Sequence, residues 1–171
     1  MSMGKSLCVA ALALAFAGAA SAADHPGLGK PVSETDLAVW DISIGPDGKG
    51  LPPGSGTPAQ GATIFAQKCE ACHGKEGIGG SNAALANAPG KNERTMALYV
   101  PNATTLFDFI RRAMPWPQPK SLANDEVYAL TAYILARNKV IGDNDTMNAE
   151  TLPKVQMPNR NGFVSRYPDK H

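Results

Sequence analysis

Three segments of the chain carry apolar residues at helical spacing, and stretches rich in glycine and proline separate them. The first begins at Thr57 and Pro58, which predict a helix start, because a threonine side chain caps free amides and proline suits the first turn. Beyond them Gly61, Phe65 and Cys69 recur every four residues. We therefore expect a helix that runs to about Cys69 and buries this face.

Two further helices are predicted for residues 102–113 and 124–138. Prolines at positions 115 and 117 end the first of them, and basic residues near both carboxyl ends suit the helix dipole. The sequence contains no clear alternating strand pattern and no internal repeat, so it predicts an all-α fold. The apolar stripes consist of Leu106, Phe109, Ile110 and Ala113 in the first and of Val127, Leu130, Tyr133 and Ile134 in the second.

The remaining chain divides around this helical region. Residues 23–56 are interrupted by prolines and glycines, which predicts an extended arm. Residues 57–140 form the predicted domain, within which residues 74–101 are expected to be a long loop with one short helix. Residues 141–171 are a polar tail that we expect to pack along the domain surface through isolated apolar anchors.

The first 22 residues have the pattern of a secretory signal peptide. Lys5 precedes an apolar run that is shorter than the roughly 20 residues of a membrane-spanning helix, and the small residues Ala20, Ser21 and Ala22 follow it. We expect cleavage after about Ala22, which also removes Cys8. The mature protein is then periplasmic and has no membrane span.

Composition and charge narrow the range of possible functions and indicate a cofactor. Sixteen basic and fifteen acidic residues leave a net charge of +1, which argues against the broad positive field of a nucleic-acid-binding protein. Only 6% of the residues are aromatic, and 17 glycines and 14 prolines indicate a chain rich in loops. Such a chain needs something other than side chains to fill its core, and a bulky cofactor would do so.

The chemistry is carried by a C-x-x-C-H motif made of Cys69, Cys72 and His73. In an exported protein this motif indicates covalent attachment of haem c. If the helix continues through the motif, the three side chains project to one side. Two thioethers can then hold the porphyrin edge while the imidazole of His73 reaches the iron. Since only the terminal His25 and His171 are left as other histidines, one haem is expected.

Three other interpretations of the motif are a structural disulfide, a thioredoxin-like redox pair and a zinc site. The redox pair lacks a surrounding βαβ pattern. A zinc site would need a fourth ligand from one of the two terminal histidines. The sequence therefore favours haem.

The sixth iron ligand is predicted to be Met114. It follows the second helix on a loop stiffened by Pro115 and Pro117, and such a loop could hold a weakly binding thioether in place. The alternative is that Met114 fills a gap in the core, as methionines commonly do. The other methionines of the mature chain are assigned to packing or to the surface, namely Met96, Met147 and Met157.

Trp116 and Arg111 are the remaining candidate haem contacts. Trp116 could cover the haem edge or donate its indole N–H to a propionate, although a partly buried aromatic residue on a proline-rich loop is equally plausible. Arg111 and Arg112 could pair with propionates or complement the helix dipole. No nucleophile, base or carboxylate pair is evident, so the sequence predicts electron transfer and no catalysis.

Over residues 57–139 the chain resembles the class I monohaem cytochromes c. The residues that carry the resemblance are Gly61, Phe65, the C-x-x-C-H motif, Met114 with Pro115, Leu130, Tyr133 and Ile134. The resemblance implies that the first and last helices cross near the haem, so that Gly61 and Phe65 meet Leu130 and Tyr133. Small Gly61 would permit a close approach of the two helices.

The chain departs from that family at two points. The family often has a proline soon after the motif, whose carbonyl accepts the histidine proton, and here the run is Gly77, Ile78, Gly79 and Gly80. The carbonyl that orients His73 is therefore left open. Ala123 stands where a serine commonly caps the last helix, and Asn124 or Ser121 is expected to replace it.

Residues 40–56 and 152–163 look like the arm and tail of cytochrome subunits or partners of periplasmic molybdenum sulfite dehydrogenases. This resemblance implies a carrier that accepts single electrons from a sulfite dehydrogenase and passes them to a downstream cytochrome c or terminal oxidase. Two alternatives stay open. The donor could be another dehydrogenase, of thiosulfate or an alcohol, or the haem could have an open site for a small molecule.

Overall fold

The computed structural model describes residues 29–164, and the predicted signal peptide, His25 and His171 lie outside this range. The described part is mostly helical, as predicted, and its only strands have two residues each. The α-helices are α1 (Glu34–Trp40), α2 (Pro58–Lys68), α3 (Glu70–His73), α4 (Met96–Tyr99), α5 (Ala103–Ala113) and α6 (Asn124–Arg137). Short 3-10 turns cover Lys75–Gly77 and Leu152–Lys154, and the strands are β1 (Ser55–Gly56) and β2 (Met147–Asn148).

The described residues divide into two compact units, one that ends at residue 41 and one that begins at residue 42. In the described part of the first unit, Ser33 caps α1 by accepting a hydrogen bond from the amide of Asp36 at 3.1 Å. This helix lies within the arm that was predicted to be extended. Residues 42–56, the rest of that arm, belong to the second unit.

Helix α2 begins where the sequence predicted. The hydroxyl of Thr57 accepts a hydrogen bond from the amide of Gln60, and the amide of Thr57 donates to the side chain of Gln60 at 2.9 Å. These two bonds form a capping box, which satisfies amides that have no partner inside the helix.

Helices α2 and α6 cross closely through Gly61. A Cβ atom on Gly61 would overlap the carbonyl oxygen of Ala129 and would crowd the Cβ of Tyr133. One turn further along, the rings of Phe65 and Tyr133 lie 5.1 Å apart. The predicted meeting of Gly61 and Phe65 with Tyr133 is therefore confirmed, and both Phe65 and Leu130 are buried in the core.

The start of α6 is capped differently from the prediction. Neither Ser121 nor Asn124 provides the cap, and instead the carboxylate of Glu126 accepts from the amide of Ala123 at 3.0 Å. The other oxygen of Glu126 lies 2.6 Å from Nζ of Lys68, the last residue of α2. Glu126 thus supplies the half of a capping box that binds the amide of the N-cap residue, while Ala123 has no side-chain oxygen for the amides of the first turn.

The buried face of α5 contains Leu106, Phe107 and Ile110, and Phe107 packs 4.5 Å from the ring of Tyr128. The predicted stripe included Phe109, which is 44% exposed. This part of the prediction is wrong because the i, i+3, i+4, i+7 face starts at Ala103, so that Phe107 points to the core.

The tail after residue 140 is buried more deeply than the predicted packing along the surface through isolated anchors. Its residues Met147, Leu152, Val155 and Met157 are buried in the same core as α5 and α6. Strand β2 pairs antiparallel with β1, with Ser55 opposite Asn148 and Gly56 opposite Met147. The tail is thus part of the compact second unit.

Candidate functional site

Cys69 lies between α2 and α3, and Cys72 and His73 lie within α3. Helix α2 ends at Cys69, as predicted, and does not continue unbroken through the motif, because the φ of −125° and ψ of −33° at Cys69 leave the helical region. The amides of Cys72 and His73 nevertheless both donate to the carbonyl of Cys69, at 3.1 and 3.0 Å. The three motif side chains therefore remain within one turn of the chain.

The two thiols are free, so the disulfide interpretation is not supported. Cys69 is half-buried and Cys72 is exposed. Burial raises the pKa of the Cys69 thiol to about 11, against the opposing effect of the positive charge on Lys68. A redox-active C-x-x-C cysteine has a lowered pKa instead, so the thioredoxin-like interpretation does not fit either.

The zinc interpretation also lacks its ligands in the described part of the chain. Between residues 29 and 164, no three histidine, cysteine, aspartate or glutamate side chains are grouped so that they could hold a metal ion. A structural zinc site requires four such ligands in a tetrahedron.

His73 is oriented by a backbone carbonyl of the following loop. Its Nδ1 lies 2.9 Å from the carbonyl oxygen of Ala83. A carbonyl oxygen can only accept, so Nδ1 carries a ring hydrogen, and in the neutral imidazole Nε2 is then the nitrogen with the lone pair. This is the state that an axial haem ligand needs, because the second ring nitrogen of a metal-bound histidine usually donates to a carbonyl or carboxylate.

The glycine run after the motif explains why Ala83 can reach the histidine. A Cβ on Gly80 would overlap the backbone of Cys72 and His73. The loop can therefore fold directly onto the motif turn, where the amide of Asn82 donates to the carbonyl of Cys72 at 3.0 Å. The carbonyl that the sequence left open is that of Ala83, and no sequence signal singled it out, although the glycine-rich run is what lets the loop approach the motif so closely.

Met114 stands immediately after α5, and its amide donates to the carbonyl of Ile110 at 3.1 Å. Its side chain is half-buried and packs at the edge of the hydrophobic core. Met147 and Met157 are both 4% exposed within that core, in line with the packing roles expected for them. Met96 is half-buried and also packs against the core.

Trp116 and the two arginines are placed differently from one another. Trp116 is 84% exposed, so the partly buried alternative is wrong. Arg112 binds the carboxylate of Asp108 at 2.7 Å and the carbonyl of Ile42 at 2.8 Å, which occupies its guanidinium. Arg111 is half-buried, and its positive charge opposes the rise that burial causes in the pKa of Tyr128.

The donor set of the motif fits haem c. Attachment needs two thiols that are not linked to each other, together with a histidine whose Nε2 is free to bind iron. Cys69 and Cys72 meet the first requirement. The bond from His73 to Ala83 meets the second.

Comparisons with known proteins agree with this chemistry. Residues 56–134 match the family model described as cytochrome c oxidase, cbb3-type, subunit III. A chain in the crystal structure of the sulfane dehydrogenase SoxCD from Paracoccus pantotrophus is 34% identical, with a TM-score of 0.73. That match covers 85% of the present chain and 73% of the other chain. No curated protein sequence matches.

The fold, the motif and these similarities define a class I cytochrome c. The chain belongs to the c-type cytochrome family and has one covalently attached haem c as its cofactor. It is an electron-transfer protein. Between residues 29 and 164 no helix is both long and apolar enough to cross a bilayer.

Proposed function

We propose that the protein is a periplasmic one-electron carrier whose haem is attached through Cys69 and Cys72 and ligated by His73 and Met114. The observation that carries this proposal is the bond from Nδ1 of His73 to Ala83, because it leaves Nε2 available next to two free thiols. The haem iron supplies the one-electron ferric and ferrous couple. In this arrangement the chain holds and orients the haem and excludes water from it.

Met114 is proposed as the sixth ligand because α5 and the proline-rich segment after it fix its backbone. A thioether ligand favours ferrous iron and raises the reduction potential, which suits an acceptor of electrons from a dehydrogenase. Arg111 is proposed to bind a propionate, because the guanidinium of its neighbour Arg112 is already occupied. Trp116 is proposed to border the exposed haem edge.

Replacement of Met114 tests the ligand assignment. We expect Met114→Ala to keep the haem but to change its optical spectrum and lower its potential, and to let the reduced protein bind carbon monoxide. Met96→Leu is the matched control, since Met96 is also half-buried against the core, and it should leave all three properties unchanged. An unchanged spectrum in Met114→Ala would contradict the assignment, and carbon monoxide binding by the native reduced protein would favour the open-site alternative.

We further propose that the electron donor is a dehydrogenase of sulfur compounds, in the first place a molybdenum sulfite dehydrogenase. Two observations support a sulfur substrate, namely the resemblance of residues 40–56 and 152–163 to sulfite dehydrogenase cytochromes and the similarity to a chain of a sulfane dehydrogenase. The second observation makes a sulfane-oxidising enzyme the next candidate donor. A downstream cytochrome c or terminal oxidase is the proposed acceptor.

Anaerobic reduction of the purified ferric protein by periplasmic extract of its host tests the donor. The haem bands are followed after addition of sulfite, thiosulfate or an alcohol, each with and without extract. Rapid reduction that requires both sulfite and extract is the expected result. If extract reduces the haem with thiosulfate or an alcohol but not with sulfite, the carrier function stands and the sulfite assignment is overturned.

A further inference from the structure

The carbonyl that orients His73 lies in a loop without regular structure, so its position depends on the bonds that hold the loop. Two of these bonds are local, from the amide of Asn82 to the carbonyl of Cys72 and from the amide of Leu85 to the carbonyl of Gly77, at 3.0 and 2.9 Å. The first acceptor, Cys72, lies in the haem motif, and the second, Gly77, lies in the 3-10 turn that follows it. A third bond connects the loop to a distant helix.

That third bond comes from Asn138, the residue that ends α6. Its Nδ2 donates to the carbonyl of Leu85 at 2.7 Å and to the carbonyl of Ile134 at 2.8 Å. Its Oδ1 accepts from the hydroxyl of Thr95 at 2.8 Å, and Thr95 is only 4% exposed. Both hydrogens of the amide and its oxygen are therefore used.

The bonds of Asn138 do more than cap the end of α6, because they also reach residues far away in the sequence. A cap requires only the contact with Ile134, four residues earlier in α6, whereas the bonds to Leu85 and Thr95 span 53 and 43 residues. The preceding residue, Arg137, binds Glu76 in the turn after the motif at 2.8 Å. The end of α6 is thus tied to the motif turn and to the loop that faces it.

We propose that Asn138 is a positioning residue for the axial histidine. By holding the carbonyl of Leu85, it holds the carbonyl of Ala83 two residues earlier at bonding distance from Nδ1 of His73. A histidine that donates in this way is a more basic ligand and stabilises ferric iron. The inference rests on the proposed function, since it assumes that His73 ligates haem iron.

The test uses holoprotein variants and two measurements, the midpoint potential and the solvent exchange rate of the His73 Nδ1 hydrogen followed by NMR. Asn138→Leu keeps the size of the side chain and removes all three of its bonds. We expect the ring hydrogen to exchange several-fold faster and the potential to rise, because the bond to Ala83 weakens. Asn138→Gln retains the amide and should restore part of both values.

Two further variants separate positioning from general stability. Asn148→Ala removes an asparagine side chain whose bonds all go to Glu150 and Thr151, and it should change neither measurement even where it lowers stability. Thr95→Val removes only the partner of Oδ1 and should shift both values in the same direction by less, which keeps the test possible if Asn138→Leu does not fold.

Wild-type exchange and potential in folded Asn138→Leu would overturn the proposal. So would an equal shift in Asn148→Ala, or unchanged values in Thr95→Val when Asn138→Leu is unfolded. Failure of the proposed function has a different signature, because the wild-type protein would then carry no haem, or its haem would lack His73 as a ligand.

Discussion

Gly61 in α2 faces the backbone carbonyl of Ala129 in α6 so closely that the two helices leave no room for a side chain between them. The obstacle is a backbone atom, which cannot turn away as a flexible side chain can. Because α2 leads directly into Cys69, this crossing fixes the position of the haem motif against α6.

Replacing Gly61 with alanine should destabilise the protein. We expect Gly61→Ala to lower the free energy of unfolding by about 1–3 kcal/mol, the usual cost of overpacking a tight contact. Denaturant unfolding of the holoprotein measures this. Gly142→Ala is the matched control, because a Cβ there meets only the side chain of Asp145 at ordinary contact distance. Equal stability of the two variants would contradict the close crossing.

The charge of Glu126 should stabilise the fold in a pH-dependent way. The hydrogen bond from Lys68 is the main reason that the pKa of Glu126 lies below its ordinary value of 4.5. Because the folded-state pKa is the lower one, this stabilisation is present above pH 4.5 and disappears as the pH falls through the folded-state pKa. It should also weaken at high salt, since both side chains are partly exposed.

Glu126→Gln isolates this charge, because glutamine can still accept from the amide of Ala123. We expect a loss of about 0.5 kcal/mol at neutral pH, the size of an exposed ion pair. Thermal unfolding of both proteins across pH should show the difference vanishing in acid. A difference that persists unchanged at low pH would mean that the charge is not its origin.

Trp116 should matter for the partner and not for the fold. Since 84% of it is exposed, Trp116→Ala should change the free energy of unfolding by no more than about 0.5 kcal/mol. Aromatic residues often dominate protein interfaces, so we expect electron transfer with the donor to slow about tenfold, which corresponds to about 1.4 kcal/mol. Stopped-flow reduction measures the rate constant.

The comparison variant is Trp40→Ala, because Trp40 is 83% exposed but lies on α1 in the other compact unit. Its effect on the rate should be smaller than twofold. If instead Trp40→Ala slows the reaction and Trp116→Ala does not, the docking surface lies on the arm.

The neighbouring arginines should have separable effects. Arg112→Gln removes the bonds to Asp108 and Ile42 and should lower stability by about 1 kcal/mol with little change in potential. Arg111→Gln should leave stability nearly unchanged and lower the midpoint potential, because a positive charge beside the haem disfavours ferric iron. Potentiometric titration and unfolding of both variants check this, and a reversed pattern would assign the propionate to Arg112.

Much of the fold could be predicted because its signals are local. Thr57 and Pro58 predict the start of α2, and the apolar stripe from Val127 to Ile134 predicts α6. The C-x-x-C-H motif, five residues long, predicts haem attachment. Predictions failed where one helix carries apolar residues on two faces: Phe109 was predicted to be buried, but Phe107 is the buried residue. They also failed at the start of α6, where neither Ser121 nor Asn124 forms the expected cap and Glu126 binds the amide of Ala123.

The sequence by itself determined α2, α5, α6 and the attachment motif, since each depends on residues a few positions apart. The need for glycine at position 61 comes from the carbonyl of Ala129 in α6, which is a tertiary contact. Only the tertiary structure decided which carbonyl orients His73, how deeply Leu152 and Met157 are buried, and that Asn138 holds the loop. Those outcomes depend on backbone groups, which are identical in every residue, and on contacts such as that of Asn138 with Leu85, 53 residues apart. No pattern of side chains along the chain records where such groups meet.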